Sequence, residues 1–420
     1  MRPGHDRLPD GWAWRRLDTA CFSVADGDWV ETKDQGGDAF RLLQVSNIGV
    51  GEFRETGTYR FVTRETFERL RCTAIKPGHV LVSRMPDPVG RAWHVRELAR
   101  PAITAVDIAI VDPDPRQLDG AYLAYYLNSP QNLSFVSGRA TGTTRVRITR
   151  RDFASFEIPL PPLPTQRKIA AILSAYDDLI ENNNRRINLL EEMTQRIYRE
   201  WFVDFRYPGH EAVPLVDSEL GPIPSGWDVA TLSSLATVVM GQSPPSSAYN
   251  SQGIGLPFHQ GVGSYGAHFP LHRVYSTAGD RLANSGDILV SVRAPVGRIN
   301  LADRRMILGR GLCGISARRA PREFLLHALK HFFRDEDVIG SGSIFQSVTR
   351  RDVEGLQVVW PGPLFAGRFG ETAEPVWRLV QLLTVEAVNL QTTRDLLLPR
   401  IVSGEIDVAD LDIEIPEAAA

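Results

Sequence analysis

The sequence predicts an α+β protein written twice. Two pseudo-repeated α/β modules are separated by two long antiparallel, coiled-coil-like helices, in a dumbbell with internal pseudo-twofold symmetry. Three observations predict it. Short sequence blocks recur in one order half a chain apart. Each copy mixes short β-branched runs with a short amphipathic helix. Each copy then reaches a proline-rich break followed by a long helical pattern.

The recurring blocks come first. Leu8-Pro-Asp-Gly-Trp12 returns as Ile223-Pro-Ser-Gly-Trp227, and Pro77-Gly-His-Val-Leu-Val-Ser83 as Ser285-Gly-Asp-Ile-Leu-Val-Ser291. Pro88-Val-Gly90 and Pro295-Val-Gly297 follow, then Ile148-Thr-Arg-Arg-Asp-Phe153 and Val348-Thr-Arg-Arg-Asp-Val353. The offset shrinks from 215 to 200 residues, as expected for loops that diverge on a retained frame.

Inside the first copy, Phe40–Ser46 and His79–Ser83 read as short strands and Ile103–Val111 as one longer strand. Asp119–Leu127 reads as a helix with Leu118, Tyr122, Tyr125 and Tyr126 on its apolar side, and Glu323–Phe333 is its counterpart. Ile148–Ile158 reads as a strand and turn. Pro159-Leu-Pro-Pro-Leu-Pro164 is expected to be extended, with Thr165 capping a helix that runs unbroken to about Phe202. That helix would be roughly 55–60 Å long at 1.5 Å per residue. One seam position takes Ile169, Tyr176, Asn183, Leu190 and Ile197. The other takes Ile172, Leu179, Arg186, Met193 and Glu200, with Ile180, Ile187 and Trp201 widening the stripe. The second helix reads from about Pro375, with Val376, Leu379, Leu383, Leu390 and Leu397 on its stripe and Val380, Ala387 and Leu398 beside it. Pro399 is expected to end it.

Stripes this long need another helix to cover them, and the other copy supplies the nearest. Packing of each helix on its own module is the alternative. Asn183 either fixes the register of the pair or is a half-exposed polar residue. The expected organisation is a first module over 1–160, a central helix over 161–207, a second module over 208–362, a distal helix with a terminal motif over 363–407, and a tail over 408–420.

Composition narrows the function. The 420 residues are 43% hydrophobic and 23% charged, ordinary for a globular chain. Formal charge is −3, which argues against a polycationic coat for nucleic acid but leaves room for a local basic face. Lysine occurs only at Lys33, Lys76, Lys168 and Lys330, so nearly every cation is a planar, fork-shaped arginine. Cys21, Cys72 and Cys313 are far apart and odd in number, which fits neither a disulfide framework nor a zinc site and points to the reducing cytoplasm. Met1-Arg-Pro-Gly-His-Asp6 carries no apolar leader, and no run of about 18 apolar residues exists. No lysine follows a glycine, so the phosphate-binding GK is missing, and no HExxH occurs. Ser243-Pro-Pro-Ser246 comes nearest to the turn with which amino-methyltransferases hold a flipped base, but serine replaces the needed aromatic. His327 and His331 lie i,i+4 without a third ligand, so no metal site is expected. No catalytic constellation emerges.

Leu160-Pro-Pro-Leu-Pro-Thr-Gln-Arg-Lys-Ile-Ala170, the helix end Arg199-Glu-Trp-Phe-Val-Asp-Phe205, Leu220-Gly-Pro-Ile-Pro-Ser-Gly-Trp227 and the terminal Ser403-Gly-Glu-Ile-Asp407 resemble the DNA specificity (S) subunits of type I restriction-modification systems. The resemblance covers essentially the whole chain. Two departures stand out: Thr165 replaces the family's usual glutamate, and the second proline motif is Pro361-Gly-Pro-Leu-Phe-Ala-Gly-Arg368. The resemblance implies that each module is a target recognition domain reading one half of a split, asymmetric DNA sequence. It implies that the helices set the spacer and dock two methyltransferase (M) subunits, while two motor-nuclease (R) subunits translocate and cut. S-adenosylmethionine, ATP and Mg²⁺ belong to those partners, and the S subunit itself binds no cofactor and catalyses nothing. A duplicated scaffold joining proteins, or a fragment of a fused methyltransferase-nuclease, are the rival readings.

The candidate DNA residues follow. Thr143, Thr144, Arg145 and Arg147, then Arg150 and Arg151, gather guanidinium groups in what reads as a strand and turn. Gln346, Arg350 and Arg351 match them in the second copy. Shared arginines suit phosphate, whereas positions that differ suit base edges. A solvated Arg-Arg-Asp turn with local ion pairs is the plain alternative. Further candidates are Gln44, Ser46 and Asn47 in the first copy and Gln242, Ser243, His259 and Gln260 in the second. Arg84 and Arg91, against Arg293 and Arg298, flank the Pro-Val-Gly turns.

Overall fold

The computed structural model describes residues 8–142, 146–333 and 348–415. The chain is a mixed helix-and-sheet protein with long helices, and it forms two units. One comprises Met1–Glu181 with Val388–Ala420, the other Asn182–Ala387.

The first unit runs β1 (Ala13–Arg16), β2 (Cys21–Asp26), β3 (Phe40–Leu43), β4 (Phe61–Val62), α1 (Arg64–Leu70), β5 (Val80–Ser83), β6 (Ala92–His94), β7 (Ala102–Thr104) and β8 (Ile108–Pro113). Then come α2 (Gly120–Leu127), α3 (Pro130–Ser137), α4 (Arg150–Ala154), β9 (Glu157–Leu160) and the start of α5 (Leu163–Phe202). The strands form sheets in the orders β2-β8-β5-β6, β4-β3-β7 and β1-β9. The expected single strand over Ile103–Val111 is broken. A turn closed by the Ile108 N–H on the Ala105 carbonyl sends β7 parallel to β3 and β8 antiparallel to β2 and β5. Both halves are apolar, so periodicity could not reveal the change of sheet.

In the second unit, α5 ends and β10 (Leu215–Val216), β11 (Ile223–Pro224), β12 (Asp228–Thr231), α6 (Leu232–Leu235), β13 (Ala236–Met240), β14 (Tyr249–Asn250) and β15 (Leu256–His259) follow. β16 (Tyr275–Ser276), β17 (Leu282–Ala283), β18 (Ile288–Ser291), β19 (Ile299–Leu301), β20 (Met306–Leu308), β21 (Leu312–Ala317) and α7 (Arg322–Phe332) come next. α8 (Arg350–Glu354), β22 (Gln357–Trp360) and α9 (Gly362–Val402) complete the element order. The order β13-β21-β18-β19 repeats that of the first unit's large sheet, β12-β22 repeats β1-β9, and the parallel pair β15-β20 repeats β3-β7.

Within each unit, segments of α5 and α9 share one apolar core. Ile169 and Leu173 pack in a cluster with Tyr122, Ile401 and Val402, and Tyr198 and Phe202 in one with Phe324, Phe369 and Trp377. Their directions oppose: in the first unit Asp177 meets Arg394, and Lys168 meets the Ala409 carbonyl. The first seam position faces inward, with Ile169 and Asn183 buried, but the second differs from expectation by one residue. Leu173, Ile187 and Thr194 are buried, whereas Leu179, Arg186, Met193 and Glu200 are exposed and Ile172 and Ile180 are half-buried. Asn183 is buried at 4% exposure, so the half-exposed alternative falls.

The helix ends also correct the sequence reading. α5 opens at Leu163, with Pro164 in its first turn and Thr165 inside the helix rather than capping it. A first-turn proline loses nothing, because its N–H would lack an intrahelical partner anyway. α9 opens at Gly362, well before Pro375, and runs on past Pro399. Ala373 and Trp377, both buried, hold the helix across Pro375. Ile148–Ile158 contains a helix rather than a strand and turn: Thr149 caps α4 by accepting the Asp152 N–H, and Thr349 caps α8 through Asp352 in the same way.

Gln166, fully buried, explains the proline motif. Its Oε1 accepts the Asp119 N–H at 2.9 Å, and its Nε2 donates to the Gln117 and Pro161 carbonyls. The side chain thereby ties the start of α5 to the cap of α2. The Trp-Phe-Val-Asp-Phe and Pro-Ser-Gly-Trp motifs meet likewise, with Trp227 packing on Phe202, Phe205 and Tyr207.

Candidate nucleic-acid interface

Each unit carries the same chain crossing beside its candidate residues. In the first, Gly27 N–H donates to Ile108 O, Asp28 N–H to Thr104 O, Ala105 N–H to Leu43 O, Arg84 N–H to Asp107 O and Ile148 N–H to Arg84 O. In the second, Gly241 donates to Leu312, Gln242 to Leu308, Gly309 to His259, Val292 to Gly311 and Val348 to Val292. These bonds make Gly27 equivalent to Gly241, Gln44 to Gln260, Arg84 to Val292 and Val106 to Arg310. A Cβ on Gly27 would lie 2.2 Å from the Ala105 carbonyl oxygen, and one on Gly241 2.2 Å from that of Gly309. Only glycine lets the segments cross this closely.

In the first unit the crossing is laced with arginine–aspartate pairs. Asp26 meets Arg84 at 3.0 Å and Arg150 at 3.4 Å, and Asp107 meets Arg147 at 3.8 Å. Arg147, Arg150 and Arg151 are exposed, as is Ser46, and Gln44 is half-buried. In the second unit Gln242, Gln260, Arg293, Arg298, Arg350 and Arg351 are exposed. Ser243 donates to Gln260 Oε1 at 2.7 Å, and Arg350 pairs with Glu354 on its own helix. The arginine pairs therefore sit on short capped helices, not on strands.

Four candidates belong to the scaffold instead. Arg91, 4% exposed, donates to the carbonyls of Val45, Ile48, Met85, Pro86 and Pro88, which uses up its fork. Arg84, 5% exposed, donates to Val106 O and Ile148 O. Asn47 bridges the Gln44 N–H and the Arg54 carbonyl. His259 is fully buried between Ser264 Oγ at 2.8 Å and His272 Nδ1 at 3.0 Å, and His272 in turn bonds Asp303. Burial, with the neighbouring His272 adding to it, pushes the His259 imidazole down to about 4. Thr143, Thr144, Arg145 and Gln346 lie outside the described residues.

Three residues that the sequence reading passed over share this region. Asp28, the counterpart of Gln242, accepts the Thr73 N–H, and burial raises its carboxyl to about 6. Beside it Trp29 is 68% exposed. Arg310 is exposed between two glycines, a Gly-Arg-Gly signal that could have marked it. His327 accepts the Trp377 indole N–H at 3.3 Å and stacks on Tyr198. Among the described residues no group of three or more His, Cys, Asp or Glu could hold a metal ion, and no helix is long and apolar enough to cross a membrane.

Comparison with known proteins agrees with this geometry. Residues 43–192 match the type I restriction modification DNA specificity domain. A Methanocaldococcus jannaschii protein, provisionally named the specificity subunit of the type I restriction enzyme MjaX, is 25% identical over 411 residues, covering 96% of this chain and 95% of its own length. The specificity subunit of the Haemophilus influenzae type I restriction enzyme HindI is 21% identical over 401 residues, with 79% and 87% covered. The crystal structure of the type I restriction-modification S subunit from M. genitalium shares the fold. Its TM-score is 0.62 at 16% identity, over 96% of this chain and 99% of that one. Over nearly its whole length the chain is similar to specificity subunits of type I restriction-modification systems.

Proposed function

We propose that this chain is the sequence-reading, non-catalytic subunit of a cytoplasmic type I complex. Modules at 1–160 and 208–362 each read one half of a bipartite duplex. The long helices join them in a pseudo-twofold dumbbell and fix the spacer. Two M subunits dock on the helices and two R subunits complete the assembly. S-adenosylmethionine, ATP and Mg²⁺ act in those partners, where adenine methylation and cleavage take place.

One observation carries the reading: a single backbone crossing, built twice, presents different side chains at equivalent positions beside a shared Thr-Arg-Arg-Asp cap. A shared cation pair suits the phosphate backbone, and the changed residues suit base edges. Docking is supported by apolar side chains left exposed on the helices, among them Leu179 and Leu396 in the first unit and Leu189, Met193, Leu364 and Leu382 in the second.

The test is selection of duplexes from a randomised library by the chain assembled with its M subunits. The expected outcome is two short preferred segments separated by a fixed gap, with steep salt dependence. Inserting a helical turn near Asn183 should change the gap and leave both segments readable. Equal binding of all duplexes at physiological salt would sink the reading.

A further inference from the structure

We propose that Arg310, with Gln242 and Gln260, forms the base-reading edge of the second unit, and that Arg310 specifies a guanine. The inference rests on the DNA-reading function proposed above.

The patch is held from several sides. Arg310 N–H donates to Ser243 Oγ at 3.3 Å, and Ser243 Oγ donates to Gln260 Oε1. Gly309 N–H donates to His259 O, Gly311 N–H to Gln260 O and Gln242 N–H to Leu308 O. A Cβ on Gly309 would lie 2.7 Å from the Gln260 Cα, and one on Gly311 2.5 Å from the Gln260 carbonyl oxygen. Glycines on both sides thus press the Arg310 backbone against that of Gln260. The part-buried Ser264–His259–His272–Asp303 chain fixes the buried His259, the neighbour of Gln260.

The guanidinium is exposed and makes no hydrogen bond or ion pair with the described residues. The first unit explains why. Its two neutralising carboxylates, Asp26 and Asp107, correspond to Met240 and Gly311 in the second. Where the first unit answers its arginines internally, the second leaves a charge facing outward. Arg310 itself replaces Val106, which is half-buried and presents no polar side-chain atom.

The company Arg310 keeps separates base from phosphate. A phosphate only accepts hydrogen bonds, so beside it the Gln242 amide oxygen would go unused, while that of Gln260 already accepts from Ser243. Base edges offer donors and acceptors together, and a fork with two amides matches them. Arginine is the fork that fits guanine O6 and N7, while glutamine fits adenine.

The experiment compares wild type, R310A and R310K, each assembled with the M subunits, on a library randomised over both half-sites. R310A should lose preference for one G·C pair in one half-site by roughly 10- to 100-fold and leave the other half-site unchanged. R310K should keep the salt dependence and lose that same preference. If R310A weakens all duplexes equally and R310K restores them, Arg310 touches phosphate and the proposal fails. It fails also if R310A selects like wild type. A wild-type complex without any preference would overturn the DNA-reading function itself, before any variant is compared.

Discussion

Tyr125 and His327 occupy equivalent places in the two units, each six residues after the N-cap of its helix, yet they bond differently. Tyr125 donates to Asp177 at 2.6 Å, whereas His327 accepts from Trp377 at 3.3 Å. The same reversal runs along the whole contact between module and long helix. Tyr122 donates to the Pro159 carbonyl, and its counterpart Phe324 packs on Trp360. Asp119 offers an N–H that Gln166 accepts, while its counterpart Pro321 has none and Ala366 stands where the glutamine would be. Donor and acceptor have gone together. A buried amide without a partner costs about 1–3 kcal/mol, whereas losing both partners costs little. What looks in the sequence like a decayed proline motif is a matched exchange of hydrogen bonds for aromatic packing.

The strongest test of that comparison is Q166A. It should destabilise the first unit by about 2–4 kcal/mol, because the Asp119 N–H and two carbonyls lose a buried partner. The reciprocal A366Q should also destabilise, since Pro321 cannot supply a donor and a larger side chain must enter a packed core. Denaturant midpoints of the two variants check both, and a stabilised A366Q would break the account. Next come the arginine pairs. R350A/R351A should weaken every duplex alike and lower the salt slope by about two. R150A/R151A should do the same, since Arg150 is answered by Asp26 much as Arg350 is by Glu354. Loss confined to particular sequences would assign these pairs to bases instead.

Acidity sharpens the comparison further. His259 stands where the first unit has Leu43, and its folded value of about 4 lies below the ordinary imidazole value. The unfolded chain therefore takes up this proton first. Its contribution is full above pH about 6.5 and is lost as pH falls toward 4. His327, pushed down to about 3 by burial, acts in the same direction. H259L should flatten the fall in melting temperature between pH 7 and 5, and an unchanged pH profile would show that His259 does not govern it. The smallest effect is expected at Asn183, whose equivalent is Leu383: N183L should stabilise by about 1 kcal/mol in thermal denaturation.

The repeated blocks were legible because they are the scaffold. Pro88-Val-Gly90 and Pro295-Val-Gly297 close the same turn, with Gly90 N–H on Ser83 O and Gly297 N–H on Ser291 O. The central helix was legible as a length and the distal one was not, and of the central helix's two seam positions only the second was misplaced. Leu179 and Met193 are as apolar as Leu173 and Ile187, so a one-residue shift leaves the pattern almost unchanged. Arg84 and Arg91 misled because an arginine buried among carbonyls and one facing solvent are the same letter. Only the placement of Val45, Ile48 and Pro86 decides between them. Arg310 was passed over for the converse reason. Its equivalence to Val106 rests on backbone bonds that no short alignment block covers.

The glycine crossing has a mutational consequence. Gly27 and Gly241 tolerate no substituent, because the chain they touch is main chain and cannot rotate aside. The residues next to them bear no such burden. Asp28 and Gln242, or Val106 and Arg310, can be exchanged without moving the strands beneath. Drift in a lineage is expected at those neighbours while the pivots stay fixed, and on the proposed reading a single codon there would change the target.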